Sequence, residues 1–565
     1  MTSLFLSEII HARMKDSPDD LAYTFSTSSD VTEAVTYGEL FSECRRIALI
    51  LQELTQDEDI ILIAVSPSLN YIKLIYACIL ANRIFLPTFP IKSRHDMARI
   101  ESLLQKIPVR LVIHDSRIEE AILGDHFHHT PIKLIKDILN THPKDVALLP
   151  INYRPERPIF LQASSGTTHF PKAVMIQENA LISSLKAMKE TLELSPKDIG
   201  VSWLPPFHDM GLIGAIFLPL YVKFPTHLSS PKSFLRDPLQ WLRNIAHHWA
   251  TITAAPNLAY DLCRHRFQKD NNDSLDLSHL RIAINSSEMV RAQTLCHFYE
   301  TFKITGFKWE SFVPAYGLAE ATLMVSCKDV KQAPYIQSFS RVSLHEGKLI
   351  PCDDKSVNTV DLVSSGKLLH NISCRIVDRY TLRPRLPYEI GEVWIKGKSL
   401  ALGYYRDTVS TDLSFNQQFI GEEEQYLRTG DSGFVDDQGH LFIIGRIKDL
   451  VTIEDKDISA EEIEGLIEDT FAPDPTYRIA ALLLEYQEKP EIVIVKEIQN
   501  ASDLEALSLQ VHTHIKEKLL LKIDRIIFVP RGSLPLTTSG KVKRHAAAIL
   551  LKNDLLETIH TVNLE

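Results

Sequence analysis

Seven cysteines in 565 residues (Cys44, Cys78, Cys263, Cys296, Cys327, Cys352 and Cys374) are scattered, odd in number and never in C-x-x-C spacing. Neither a disulfide framework nor a thiolate zinc site is indicated, and a reducing, cytoplasmic setting is expected. The first residues lack a basic stretch leading into a long apolar one and meet Glu8 almost at once, so no export signal is read. Nor does any apolar run reach the roughly 18 residues of a membrane span. Residues 71–90 are broken by Lys73, Asn82 and Arg83, and residues 211–224 by Pro219; both are expected to be buried core helices, without stable membrane insertion. Excess positive charge is absent too. A net charge of −11 argues against nonspecific nucleic-acid binding, which draws its affinity from neutralising phosphates. No internal repeat, low-complexity tract or Pro/Gly linker is seen.

What is present is alternation. Short apolar runs at residues 60–65, 110–114, 158–163, 251–253 and 280–284 are separated by amphipathic stretches, as in parallel sheets covered by helices. After about residue 446 two charged amphipathic stretches (459–470 and 504–521) interleave with three short strands (478–484, 491–495 and 525–529). The expected fold class is α/β, with a large N-terminal domain of parallel-rich sheets covered by helices and a small, mobile C-terminal α+β domain. The boundary is placed at 447/448, inside the polar turn Gly445-Arg446-Ile447-Lys448-Asp449, which suits a hinge more than a tether.

The run at 158–163 leads into Ser164-Ser165-Gly166-Thr167-Thr168-His169-Phe170-Pro171-Lys172-Ala173. Backbone N–H groups, hydroxyls and the Lys172 ammonium offer donors to phosphate oxygens, so this reads as a phosphate-binding turn. It is no Walker loop: proline precedes Lys172, and Ala173 follows where a hydroxyl would hold the metal. Downstream come S-W-L-P-P-F-H-D-M-G-L-I-G (202–214), A-P-N-L-A-Y-D-L-C (255–263), Asn285-Ser286-Ser287-Glu288 and P-A-Y-G-L-A-E-A-T-L-M-V-S (314–326). The series ends with Arg428-Thr429-Gly430-Asp431, the turn at Gly445, and Pro535-Leu536-Thr537-Thr538-Ser539-Gly540-Lys541.

In this order the set resembles the adenylate-forming superfamily of acyl-CoA synthetases, luciferases and peptide-synthetase adenylation domains, over about residues 10 to 550. Within it the chain resembles a fatty acyl-AMP ligase, in part because of an extra segment at about 328–363 that acyl-CoA synthetases generally lack. The resemblance implies ATP and Mg²⁺ as cofactors, and conversion of a medium- or long-chain fatty acid to acyl-AMP with release of pyrophosphate. It also implies transfer to the phosphopantetheine thiol of an acyl carrier protein in trans, the insertion restricting domain movement and disfavouring CoA.

By the same resemblance Lys541 is the catalytic lysine bridging carboxylate and α-phosphate, and Glu320 is the metal ligand, with Thr167 or Thr168 adding a hydroxyl. His208 gates the carboxylate entry, while Asp209, Met210, Gly211, Leu212 and Ala255 belong to the acyl side. The nucleotide would be held by Ser164, Ser165, Gly166, Thr167, Thr168 and Lys172, by Ser286, Ser287 and Glu288, and by Ala315, Tyr316, Gly317 and Leu318, Tyr316 stacking on adenine. Asp431 would accept the ribose hydroxyls, Arg446 would donate to ribose or phosphate, and Lys448 would be the pivot. Lys543, Arg544, His545 and Lys552 form a basic patch suited to an acidic carrier. The sequence departs from the family at His169 and Ala173, commonly glycine, and at Glu454-Asp455-Lys456-Asp457, usually Gly-rich or basic. A fatty acyl-CoA ligase and a non-catalytic adenylate-binding sensor stay open as alternatives.

Overall fold

The structure, a computed structural model, describes residues 5–564 apart from 29–30, 128, 144–146, 150–153, 155, 165–170, 269–274, 353–357, 454–455, 472–476, 485–490, 500–502, 520 and 537–541. Its first core is a six-stranded sheet in the order Ile132–Leu134, Val109–His114, Ile60–Ala64, Ile84–Pro87, Pro158–Ala163, Ala173–Gln177. All pairings are parallel except the last, a hairpin. Ile60–Ala64 is buried at every position, as expected of a central parallel strand covered on both faces.

A second, nine-stranded sheet runs Lys367–Leu368, Met324–Cys327, Phe312–Gly317, Ile282–Asn285, Ile252–Ala255, Gly200–Ser202, Thr226–Ser229, Leu21–Ser28, Val31–Thr36. Its central strands are parallel and both edges antiparallel. The helix Tyr37–Leu54 packs on Leu69–Leu80, and starts at a capping box between Thr36 and Glu39. Residues 71–90 are not one helix: Leu69–Leu80 is helical, Asn82 turns the chain at a φ of 58°, and Ile84–Pro87 enters the sheet as a strand. Residues 211–222 are helical, as Met210–Phe217 and Leu218–Val222, and Lys223 ends the run at a φ of 78°. No helix among the described residues is long and apolar enough to cross a membrane.

A third sheet, wholly antiparallel, orders Ile372–Val377, Gly391–Gly397, Leu427–Val435 and Leu441–Arg446. The segment expected as an insertion contributes the hairpin Ile336–Ser340 with Thr359–Val363 and the short helix Arg341–His345. Its Phe339 is fully buried and packs edge-on against Phe434 and Phe442 of the third sheet, at ring-centroid distances of 5.5 and 6.0 Å. The insertion is therefore part of a shared aromatic core.

The C-terminal sheet, Ile479–Leu484, Glu491–Ile498, Arg525–Pro530, His560–Asn563, is antiparallel outside and parallel between its two middle strands. Ala460–Phe471 and Leu504–Leu519 share one apolar core with it, and Ala547 of Arg544–Lys552 joins another. The final strand and the helix Arg544–Lys552 extend the unit beyond the three strands and two helices legible in the sequence.

Candidate active site

The parallel topology places Ser202, Ala255, Asn285 and Gly317 at the carboxyl ends of strands in one region of the nine-stranded sheet, where ligands gather in open α/β folds. A cavity of about 840 Å³ opens there and is walled by both the N-terminal sheets and the C-terminal unit. Beneath it the buried Asn257 amide donates to the Met289 carbonyl at 2.8 Å, and Asn285 donates to the Asn257 carbonyl oxygen at 3.0 Å. Two strand ends are thus tied to the loop carrying Ser286, Ser287 and Glu288. Ser287 holds a φ of 79°, a conformation that non-glycine residues adopt at a cost of about 1–3 kcal/mol.

Tyr316 closes the strand Phe312–Gly317, and its phenol donates to Asp431 at 2.5 Å. Burial, then the adjacent carboxylate, pushes that phenol well above its ordinary pKa, so it stays a donor. Asp431 is 4% exposed at its side chain and also pairs with Arg446 Nε at 2.8 Å across the third sheet, where the two residues are register partners. That carboxylate holds the Arg446 guanidinium firmly protonated. The Thr429 hydroxyl accepts from the Asp431 backbone N–H at 3.1 Å and fixes the turn.

The next turn, 317–323, is tight enough to demand glycine at its start. A Cβ on Gly317 would lie 1.9 Å from the Leu323 carbonyl oxygen, and Leu318 N–H donates to that same oxygen at 2.9 Å. The turn presents Glu320 to the cavity, its carboxylate accepting from Tyr404 at 2.9 Å. Among the described residues no three His, Cys, Asp or Glu side chains are grouped for a metal. A cation here would take one carboxylate together with ligand oxygens and water, the coordination that suits Mg²⁺.

Opposite lie Ser164 and Lys172. Ser164 N–H donates to the Lys172 carbonyl at 2.8 Å and Lys172 N–H to the Ser164 hydroxyl at 3.3 Å, which closes the neck of the turn between strands Pro158–Ala163 and Ala173–Gln177. Lys448 stands exposed at the rim, where the surrounding protein and the neighbouring Arg446 and Lys172 push its amine down to about 8. The polar wall therefore includes the cations Lys172, Arg446 and Lys448 and the carboxylates Glu320 and Asp431. The cavity's apolar branch is the lining contributed by Met188, Leu192, Met210, Gly214, Leu218 and Phe224.

A family model described as AMP-binding enzyme matches residues 10–405. The chain belongs to that family. This adenylate-forming enzyme is 29% identical, over 94% of its length and 92% of the relative's, to JamA of Moorena producens, named a medium-chain-fatty-acid–[acyl-carrier-protein] ligase. It is equally 29% identical, over 97% and 98%, to fadD25 of Mycobacterium tuberculosis, whose name carries fatty-acid–CoA ligase as a provisional assignment. Among solved structures it resembles a fatty acyl-adenylate ligase of Legionella pneumophila in complex with acyl adenylate and pyrophosphate (TM-score 0.77, 28% identity, 100% and 98% of the two chains). It also resembles a chain from a study of such ligases of Escherichia coli and L. pneumophila (TM-score 0.86, 27% identity, 97% and 98%).

In this AMP-binding enzyme the cavity gathers Ser164, Lys172, His208, Asp209, Met210, Ser286, Ser287, Glu288, Ala315, Tyr316, Gly317, Leu318, Glu320, Asp431 and Arg446 on one wall system. Ser165, Gly166, Thr167, Thr168 and Lys541 lie outside the described residues, although Val542 beside Lys541 lines the cavity. Gly211, Leu212 and Ala255, expected on the acyl side, do not face it. Leu212 and Ala255 are fully buried in the apolar cores behind the wall, and the chain reaches the branch through Met210, Gly214 and Ala254 instead. Arg544 is likewise not available to a surface patch: its guanidinium grips both oxygens of Glu464, at 2.8 and 2.6 Å, and Asp449 at 3.0 Å. Thr429 and Gly214 lie inside motifs legible in the sequence, at 428–431 and 202–214, which assign neither a role, while Tyr404 and the distal apolar lining fall outside every motif. A tyrosine after a glycine carries no periodic signal.

Proposed function

We propose that the chain is a fatty acyl-AMP ligase. A fatty carboxylate oxygen attacks the α-phosphorus of ATP, the new P–O bond forms as pyrophosphate leaves, and the phosphopantetheine thiol of an acyl carrier protein then loses its proton and takes the acyl group as the acyl C–O bond breaks and AMP leaves. The observation that carries this reading is one continuous cavity in which an apolar branch meets a polar wall bearing Lys172, Glu320, Asp431 and Arg446. Bringing two anions together demands fixed positive charge and positioning more than covalent chemistry by the protein.

In this reading Glu320 would hold Mg²⁺, which would supply positive charge against the phosphates; Asp431 takes the ribose, Tyr316 and Ser286–Ser287 flank adenine, and His208 stands at the junction with the acyl branch. His208 Nδ1 lies 2.6 Å from Asp209 Oδ1, which supports a fixed ring orientation there. Lys541 supplies the bridging cation. The unit 448–565 pivots at Lys448.

The acceptor assignment draws on the insertion. Arg341 and His345 of the insertion both engage Glu462 on the helix Ala460–Phe471, which supports restraint of the C-terminal unit and a bias against CoA. The relatives' names divide between carrier-protein and CoA ligation, so CoA ligation is the reading to test against. The purified protein would be given MgATP and fatty acids of graded length, with CoA or with a phosphopantetheinylated carrier, and the products read by mass spectrometry. Acyl-AMP discharged by the carrier and not by CoA is expected. Abundant acyl-CoA would move the assignment to a CoA ligase, and absence of any adenylate would leave a binding protein.

A further inference from the structure

The stretch 401–405 joins the two halves of the polar wall. Ala401 N–H donates to the Glu320 carbonyl at 2.9 Å, while Leu402 and Tyr405 N–H donate to Met175 and Ala173 at 3.0 and 2.8 Å, and Met175 N–H returns a bond to Gly403 at 2.9 Å. One short segment is therefore hydrogen-bonded both to the turn bearing Glu320 and to the strand that leaves the phosphate turn. Its side chain between them is Tyr404, 7% exposed.

Tyr404 makes two separate polar contacts. Its hydroxyl donates to Glu320 Oε1 at 2.9 Å, and the Lys172 ammonium sits over its ring, 4.3 Å from the centroid. The second distance is within cation–π range. The ring is itself fixed. Phe415 packs on it edge-first at 5.4 Å, and the Thr411 hydroxyl accepts from Tyr404 N–H at 2.9 Å. That hydroxyl can come so close only because Gly403 lacks a Cβ, which would lie 2.4 Å from the Thr411 methyl, at a φ of 127°.

We infer that Tyr404 is a positioning residue for the adenylation half-reaction: its ring sets the Lys172 ammonium and its hydroxyl occupies one oxygen of Glu320, so that the other is turned toward a phosphate-bound cation. The inference rests on the proposed acyl-AMP ligase reading and assigns this tyrosine no contact with substrate. It accounts for a feature otherwise unexplained, a carboxylate and a lysine from distant parts of the chain meeting on one buried aromatic. The two arms predict separable defects, because a phenylalanine keeps the ring and loses only the hydroxyl.

The test compares wild type, Tyr404→Phe and Tyr404→Leu in two binding measurements that need no turnover. Calorimetry with a non-hydrolysable ATP analogue in EDTA reads the Lys172 arm, and Mn²⁺ titration of the analogue-loaded protein by electron paramagnetic resonance reads the Glu320 arm. Tyr404→Phe is expected to weaken Mn²⁺ by about 10-fold and to leave metal-free nucleotide within about 2-fold, since a hydrogen bond to a charged group is lost and the ring is kept. Tyr404→Leu is expected to lose both, with metal-free nucleotide weakened by about 3-fold or more. Wild-type Mn²⁺ affinity in Tyr404→Phe overturns the inference, as does equal weakening of both ligands in the two variants together with a lowered melting temperature, which marks a packing role. A wild-type protein that binds no ATP analogue would instead bring down the acyl-AMP ligase reading, and this inference with it.

Discussion

Replacing Glu462 by glutamine should release the C-terminal unit. Glu462 receives Arg341 on one oxygen and His345 Nε2 on the other, the latter at 3.3 Å. The side chains of Arg341, His345 and Glu462 are 9%, 6% and 10% exposed, so the group is screened little by water. Removing one partner of a buried ion pair costs about 3–5 kcal/mol. Glutamine keeps the volume and one acceptor, which places the loss near the lower figure, and about 3 kcal/mol corresponds to roughly a 10²-fold shift toward the undocked arrangement. The neighbouring pair between Arg291 and Glu468 is 24% and 36% exposed, in the range where ion pairs contribute about 0–1 kcal/mol. Glu468→Gln therefore serves as the control and should change little. Distance distributions between spin labels on the large domain and on the helix Leu504–Leu519 report docking, and acyl-CoA formation reports the acceptor. Glu462→Gln should broaden the distances and raise acyl-CoA. A variant with unchanged melting temperature, unchanged distances and unchanged acyl-CoA would refute the argument.

Three further outcomes are expected. Lys541→Ala should lower acyl-AMP formation by on the order of 10²–10³-fold, the scale of losing a preorganised donor, with fatty-acid binding preserved in a direct titration. Gly214→Phe should shift preference to shorter acids: a Cβ at Gly214 meets only a Leu323 methyl, at 3.8 Å, so the ring grows into the apolar branch. Each displaced CH₂ forfeits about 0.8 kcal/mol, roughly 4-fold per carbon in a chain-length profile. Lys448, its amine pushed down to about 8, is increasingly neutral above that pH, and a bound polyanion raises its pKa again. Nucleotide binding between pH 8 and 10 should therefore take up protons, seen as a buffer-dependent enthalpy that Lys448→Arg abolishes.

The parts of the fold legible in the sequence are those where burial leaves one-dimensional evidence. Ile60–Ala64 and residues 282–284 are apolar and buried throughout, so they read as central strands, and the strand-end motifs followed from them. Residues 71–90 misled for the same reason. Leu69–Leu80 and Ile84–Pro87 are both almost wholly buried, and without a polar face neither shows a period; Asn82, seen only as a break in a membrane span, was the turn between them. The last strand, His560–Asn563, alternates between half-buried and exposed positions at a sheet edge and offered no apolar run. At the site, the resemblance puts Leu212 and Ala255 on the acyl side, and their near neighbours in the chain, Met210 and Ala254, are the residues that line the cavity. Along a helix or strand the neighbours of a lining residue point into the core. Tyr404 was missed because a two-contact role appears only when Lys172 and Glu320, 148 positions apart in the chain, meet on its ring.

The shared aromatic core of the insertion bears on how acceptor choice can change over time. Phe339 rests against Phe434 and Phe442, and the strands that carry those rings, Leu427–Val435 and Leu441–Arg446, also carry Asp431 and Arg446. Excising residues 328–363 would strip the back of the hairpin that carries Asp431 and Arg446 to the cavity. The segment is no longer a detachable accessory, and its loss in one step would damage adenylate formation along with whatever it excludes. On the proposed acceptor reading, a lineage or an engineer changing the thiol acceptor has the shorter route through single substitutions at the ionic contact on Glu462, which leave that buttress in place.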